Sequence, residues 1–131
     1  MNQYIAHISI LVDDYDKAID YYISKLHFKL IEDTKISEEK RWVLVKPDGQ
    51  FGCSLLLAKA VTQQQKMAIG NQSGGRVFLF LHTDDFERDF KNLIINNILI
   101  EREPRDEYFG KVVVFRDLYG NLWDLIEPKN I

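Results

Sequence analysis

The chain has 131 residues, and its 46% hydrophobic content is enough for a domain with a substantial core. With 17 basic and 20 acidic residues, its formal charge of −3 provides no basic field to attract nucleic acid or anionic lipid. No apolar run reaches the roughly 18 residues that cross a bilayer, and the N-terminus lacks a secretory pattern. We therefore expect a cytoplasmic protein with neither nucleic-acid nor membrane partners.

The first half of the chain is predicted to contain a strand, a helix and three more strands. His7 lies in an opening strand, whose side chains alternate between two faces. Asp14 then predicts a helix N-cap, and the helix carries an apolar face with i, i+3, i+4, i+7 spacing at Ile19, Tyr22, Ile23 and Leu26. His27 is expected to end the helix, because His tolerates the left-handed conformation. Strands are predicted over 28–33, 41–46 and 52–59.

The second half repeats the first. Residues 7–22 align with residues 78–93, an offset of 71 that places Asp14 over Asp85. Asp85 is the predicted N-cap of a second helix, and the pair Asn96 and Asn97 is predicted to end it. Strands are predicted over 98–102, 111–116 and 121–127, with 101–111 largely a solvated loop.

The repeat predicts an α+β protein built from tandem β-α-β-β-β modules. We expect one domain over residues 1–131, with module one at 1–60, a linker at 61–75 and module two at 76–131. In the corresponding hairpin turns of the two modules, Gly49 and Gly120 are expected to supply a positive φ. Cys53, the single cysteine, excludes an intramolecular disulfide and is expected to be a small buried residue.

The repeated pattern resembles the vicinal-oxygen-chelate superfamily, which includes glyoxalase I, bleomycin-resistance proteins, extradiol dioxygenases and fosfomycin-resistance enzymes. The resemblance rests on His7 in the first strand, residues 13–28, residues 41–43 and the ending at residues 115–128. It implies a glyoxalase/bleomycin-resistance/dioxygenase-type fold, in which the modules enclose a cavity for a small molecule. It also implies a homodimer, whose cavity can combine module one of one subunit with module two of the other.

Metal-dependent members of that superfamily place one ligand on the first and one on the last strand of each module. Carried over, these positions are His7, then Ser54 or Cys53, then Phe78, and finally Asp124. Only His7 and Asp124 are competent ligands for a divalent metal. The resemblance therefore implies a degenerate site with no cofactor, or with a weakly bound divalent metal; His82 could substitute for Phe78 only in another strand register.

The residues expected to line the cavity are polar or aromatic. Ser9 shares the face of His7 because strand side chains alternate, and Phe78 and Phe80 share a face for the same reason. With them, the predicted substrate-binding residues are Ser9, Trp42, Ser54, Phe78, Phe80, Tyr108 and Phe109. Arg41 and Arg116 are either anion contacts or solvated strand charges. Glu127 has the opposite parity to Asp124 and is predicted to be an exposed strand end.

The preferred functional hypothesis is a glyoxalase- or bleomycin-resistance-like protein that binds a small organic molecule beside a degenerate metal site. The alternative is a divalent-metal-dependent lyase, isomerase or dioxygenase that uses His7 and Asp124. A third possibility is a metal-free enzyme in which the same two residues act as an acid/base pair and are its catalytic residues. The sequence leaves open whether the protein is an enzyme.

Overall fold

A computed structural model describes residues 1–129. The described chain forms two compact units, residues 1–69 and residues 70–129, and each contains one four-stranded sheet. Both units follow the predicted strand-helix-strand-strand-strand order. Within residues 1–129, no helix is both long and apolar enough to cross a lipid bilayer.

The first unit forms a mixed sheet with strand order β1-β4-β3-β2. The β1–β4 pair is parallel, whereas the β2–β3 and β3–β4 pairs are antiparallel. A wide helical turn at Tyr21–Lys25 continues helix α1. The elements are β1 (His7–Val12), α1 (Tyr15–Asp20), β2 (Lys29–Lys35), β3 (Arg41–Lys46), β4 (Ser54–Lys59) and α2 (Gln63–Ala68).

The second unit repeats this topology with strand order β5-β8-β7-β6. Its β5–β8 pair is parallel, and its β6–β7 and β7–β8 pairs are antiparallel. The elements are β5 (Val77–His82), α3 (Phe86–Ile95), β6 (Ile100–Glu107), β7 (Gly110–Arg116) and β8 (Leu122–Pro128).

In each unit, one face of the sheet packs with the helix in an apolar core; in the second unit, Val112, Val114 and Ile126 on the other face are buried as well. In the first unit, alternate strand residues and the helical residues Ala18 and Tyr22 are fully or almost fully buried. Burying each large side chain contributes about 1.5–3 kcal/mol. The strand residues of this core are Ile10, Val12, Val43, Val45, Leu55 and Leu57; those of the second unit include Val113, Phe115, Trp123 and Leu125.

The predicted helix boundaries are confirmed by their backbone geometry. The Asp14 carboxylate accepts the backbone N–H of Lys17 at 2.9 Å, and Asp85 accepts that of Arg88 at 3.1 Å. Beyond the helices, His27 and Asn97 have positive φ values of 60° and 56°. Left-handed residues of this kind let the chain reverse into the next strand.

The predicted linker contains a helix that the sequence analysis missed. Helix α2 begins after Thr62, whose side chain accepts the backbone N–H of Gln65 at 3.1 Å. The Gln65 side chain accepts the Thr62 N–H at 3.3 Å, which completes a capping box. The helix has no buried residue, so its sequence carries no apolar stripe from which a helix could be predicted.

The predicted loop at 101–111 is instead mostly strand, because β6 extends to Glu107 and β7 begins at Gly110. Strand β6 is an edge strand, and its pairing with β7 shifts register around Arg102 and Arg105. An edge position with a bulge accommodates Pro104, which has no N–H for a central ladder. The charged sequence is typical of an exposed edge rather than of a loop.

Two smaller predictions about the β3–β4 connection are wrong. The positive φ in this turn belongs to Gly52, at 97°, and not to Gly49, whereas Gly120 has the predicted positive φ of 94°. Cys53 lies just before β4 and is partly exposed, because the strand begins only at Ser54.

Candidate functional site

The face of the second sheet that carries Asp124 combines polar and apolar side chains. Across the four strands, Phe80 pairs with Asp124, Asp124 with Val114, and Val114 with Arg102. Paired residues of neighbouring strands point to the same face. This first row therefore joins an aromatic ring, a carboxylate, a valine and a guanidinium group on one surface.

A second row lies beside the first on the same face. His82 pairs with Ile126, Ile126 with Val112, and Val112 with Arg105. Val112 and Ile126 are buried, whereas Arg105 is partly exposed at the sheet edge. We call the residues of these two rows the Asp124 face: an apolar floor with an acidic group at its centre and two arginines at its rim.

Asp124 is the unusual residue of this face. It is only 7% exposed, and its Oδ1 atom is buried without a hydrogen-bond partner among residues 1–129. Burial raises the pKa of its carboxyl above the ordinary value, and the charges of Arg105 and Arg102 partly oppose this shift. A buried carboxylate oxygen without a donor is energetically costly.

Arg105 is also incompletely paired. Its Nε donates to Glu107 Oε1 at 2.7 Å, while its Nη1 is buried and has no acceptor within the described part of the chain. The Asp124 face thus carries both an unused acceptor and an unused donor.

In the first unit, His7 and Ser9 lie on the face opposite the core residues Ile10 and Val12, as predicted. Both are exposed, and His7 pairs in parallel register with Ser54 of β4. The Trp42 ring meets the His7 ring edge-on, with 6.1 Å between the ring centres. Ser54, and not Cys53, is therefore the β4 residue beside His7; we call His7, Ser9, Trp42 and Ser54 the His7 face.

The strand registers test whether the side chains fit the metal site that the resemblance implies. In the second unit Phe80 pairs with Asp124; the aligned pair in the first unit is Ser9 with Leu56. Leu56, rather than Ser54 or Cys53, thus occupies the position of Asp124, and it has no donor atom.

The remaining implied ligands are also incomplete. Phe78 lies where the β5–β8 register shifts, so a phenyl ring replaces the ligand of the second first-strand position. His7 belongs to the first unit and Asp124 to the second. Across residues 1–129, no three His, Cys, Asp or Glu side chains form a group that would hold a metal ion. The side chains do not fit the four-ligand site of the metal-dependent members.

The other predicted aromatic residues differ in exposure. Phe80, on the Asp124 face, is 63% exposed, and Phe78 is half-buried. Tyr108 is 87% exposed in the short β6–β7 turn, where its ring meets that of Phe109 edge-on at 5.2 Å. Of these residues, only Phe80 is held in the same strand row as Asp124.

The two arginines predicted to be either anion contacts or solvated strand charges are paired with carboxylates. Arg41 binds both carboxylate oxygens of Asp33, at 2.6 and 3.1 Å, and also contacts Asp16 at 2.9 Å. These hydrogen bonds hold the pKa of Asp33 below its usual value. Arg116 binds Glu101 at 2.8 and 3.2 Å. Arg41 therefore links β3 to β2, and Arg116 links β7 to β6, through ion pairs between neighbouring strands.

Glu127 is not the free strand end that its parity suggested. Its Oε1 accepts the backbone N–H of Phe86 at 2.8 Å, at the first turn of α3. The carboxylate satisfies a helix N–H that has no partner within the helix. Glu127 therefore anchors α3 on the face opposite Asp124.

Sequence reasoning missed Asp117, a buried carboxylate in the β7–β8 turn. It accepts the backbone N–H groups of Tyr119 and Asn121, both at 3.0 Å. It also accepts the Asn121 side-chain amide at 3.0 Å and the Trp123 indole N–H at 3.0 Å. An Asp three residues before a turn glycine, here Gly120, is the signal that would have predicted this turn. Asp117 fixes the start of the strand that carries Asp124.

Comparisons with known proteins agree with this architecture. The family model described as Glyoxalase/Bleomycin resistance protein/Dioxygenase superfamily matches residues 4–125. A protein of Shewanella frigidimarina (strain NCIMB 400), described only as uncharacterized, is 55% identical over 128 residues, covering 97% of this chain and 95% of that protein.

Two solved structures are similar over nearly the whole chain. UcmS2 has a TM-score of 0.83 at 27% identity, with 97% of this chain and 99% of that chain covered. TnmS3, described as an antibiotic binding protein from Streptomyces sp. CB03234, has a TM-score of 0.79 at 27% identity, with 98% of each chain covered. Together with the tandem β-α-β-β-β topology, the family match confirms the predicted fold class. The chain belongs to the glyoxalase/bleomycin resistance protein/dioxygenase superfamily.

Proposed function

We propose that this protein binds a small organic molecule at the Asp124 face. The observation that carries the proposal is the unpaired, buried Oδ1 of Asp124 on an apolar floor beside the exposed ring of Phe80. A mostly apolar surface with a few convergent polar groups is typical of small-molecule sites. Similarity to TnmS3, an antibiotic binding protein, adds support at 27% identity.

The test is a thermal-shift screen of aromatic natural products, including polyketide quinones, followed by calorimetric titration of each hit. We expect at least one compound to raise the unfolding temperature, and Phe80→Ala to weaken its binding. Phe51→Ala, which removes a ring that is 85% exposed in the β3–β4 connection, is the matched control. Hits whose affinity is unchanged by Phe80→Ala would contradict the proposed surface.

The second candidate is a divalent-metal-dependent lyase, isomerase or dioxygenase that uses His7 and Asp124. The same unpaired Asp124 oxygen favours it, because a carboxylate oxygen is a metal ligand as well as a hydrogen-bond acceptor. Elemental analysis of protein prepared without a chelating tag, before and after incubation with Ni, Zn, Mn, Fe and Co, separates the candidates. About one equivalent per chain, lost in both His7→Ala and Asp124→Ala, would favour the enzyme.

We further propose that the protein is a cytoplasmic homodimer. The superfamily membership supports the dimer. Light scattering at micromolar concentration is expected to give twice the chain mass of 15.4 kDa. A monomeric mass at that concentration would contradict the dimer, and fractionation of the source cells tests the location.

A further inference from the structure

The unpaired donor and acceptor of the Asp124 face indicate which groups a ligand needs in order to pair with them. Asp124 Oδ1 needs a hydrogen-bond donor, and Arg105 Nη1 needs an acceptor. The two groups do not satisfy each other, because no ion pair joins Asp124 to an arginine among residues 1–129. Buried polar groups in folded proteins are nearly always paired, so an unpaired donor and acceptor on one face indicate a missing partner.

The rim of the face favours an anion. Arg102 and Arg105 both lie on β6, in neighbouring rows of the face, and Glu107 pairs with Arg105. Glu107 occupies the Nε side of Arg105, which leaves its Nη1 for another oxygen. A guanidinium group binds planar oxyanions better than neutral acceptors, since the hydrogen bond is charge-assisted.

The floor of the face favours a ring. Val112, Val114 and Ile126 are buried apolar side chains, and the exposed Phe80 lies beside Asp124 in the same row. An aromatic ring could pack against Phe80 while its substituents reach the polar groups. We expect the donor close to the acid group, because only β7 separates β8, which carries Asp124, from β6, which carries both arginines.

We infer that the Asp124 face selects an aromatic acid that carries a hydroxyl or amino donor next to its carboxylate. The carboxylate accepts from Arg105, the neighbouring donor meets Asp124, and the ring packs against Phe80. This inference rests on the proposed binding function and specifies its ligand class.

The test uses 2-hydroxybenzoate as the probe, titrated into the full chain and followed by calorimetry and amide NMR shifts. Two relatives each remove one feature: 2-methoxybenzoate lacks the donor, and 2-hydroxybenzamide lacks the charge. We expect 2-hydroxybenzoate to bind at least about tenfold more tightly than either. The largest amide shifts are expected in β6 and β8, which carry Arg105 and Asp124.

Variants assign the contacts. Arg105→Gln is expected to weaken 2-hydroxybenzoate binding about tenfold, and Arg105→Lys to weaken it less because the charge is kept. Asp124→Asn is expected to reduce the preference for the hydroxyl over the methoxy compound. Arg76→Gln, at an exposed position of the same unit, is the matched control and should bind as the unchanged chain does. Circular dichroism verifies that each variant is folded.

The outcomes separate this inference from the proposed function. Equal binding of the three probes, binding insensitive to Arg105→Gln, or no binding at millimolar concentration would overturn the acid class. If neutral aromatic hits from the thermal-shift screen then bind in a Phe80-dependent way, the binding function stands without it. If no compound of either kind binds, both proposals are wrong.

Discussion

Replacing Asp117 tests how the β7–β8 turn is held. Asp117→Ala removes the carboxylate that accepts from two backbone N–H groups, the Asn121 amide and the Trp123 indole N–H. A hydrogen bond to a charged group contributes about 1.5–3 kcal/mol, but bonds to one shared acceptor do not add fully. Because the freed backbone groups can regain water while the indole N–H stays buried, we expect a loss of about 3 kcal/mol.

Urea unfolding followed by far-ultraviolet circular dichroism measures this loss, and a thermal scan should show a decrease in Tm of about 12 °C. Asp117→Asn keeps one acceptor oxygen, but its amide N–H groups face other donors, so we expect the free energy of unfolding to fall by about 2 kcal/mol. Asp106→Ala, at an exposed position of β6, is the control and should cost less than about 0.5 kcal/mol. A loss below about 1 kcal/mol for Asp117→Ala would refute the reasoning.

Three further predictions concern charge and backbone conformation. Asp33→Asn should lower the free energy of unfolding by about 1 kcal/mol at pH 7, because it breaks the two-point contact with Arg41. Folding lowers the pKa of Asp33 below 3.8, so its stabilising contribution is complete above that pH and disappears as the pH falls through the lowered pKa. In urea titrations from pH 7 to about 2, the free energies of unfolding of the variant and the unchanged protein should therefore converge. His27→Gly should raise the free energy of unfolding by about 0.5–1 kcal/mol, because the φ of His27 is 60°. Asn97→Gly should raise it less, since Asn tolerates this backbone region better; equal increases in the denaturant midpoint would contradict this ranking. Asp124→Asn should raise the free energy of unfolding by about 1 kcal/mol at pH 7, since it removes a buried charge that lacks a donor, and a destabilised variant would count against the unpaired carboxylate.

Much of the fold was predictable because the chain repeats itself. Asp14 and Asp85 marked both helix starts, and His27 and Asn97 marked the reversals after them. These are local preferences, so a single sequence reveals them. Strand β3 was predicted with its observed bounds, Arg41–Lys46, because a run of apolar β-branched and aromatic residues fills a central strand.

The features that the sequence did not reveal depend on pairing between strands. Arg102 and Arg105 share a face only because the β6–β7 register shifts between them; simple alternation would place them on opposite faces. The pairing of Ser9 with Leu56 likewise decided which first-unit residue corresponds to Asp124, and an offset of 71 could not. Side-chain polarity identified Asp124 as a candidate, but only packing showed that its Oδ1 has no partner.

The strand order also constrains how each half of the chain can fold. Among residues 1–129, strand β1 pairs with β4 alone, so His7 gains its strand partner, Ser54, only after 47 more residues of the chain. The adjacent strands β2 and β3 can form a hairpin much sooner, because closing a short loop loses less chain entropy. In the second half, β5 likewise pairs with the last strand, β8, where Val77 is the partner of Leu122. During synthesis on the ribosome, the first strand of each half therefore emerges early but joins its sheet last.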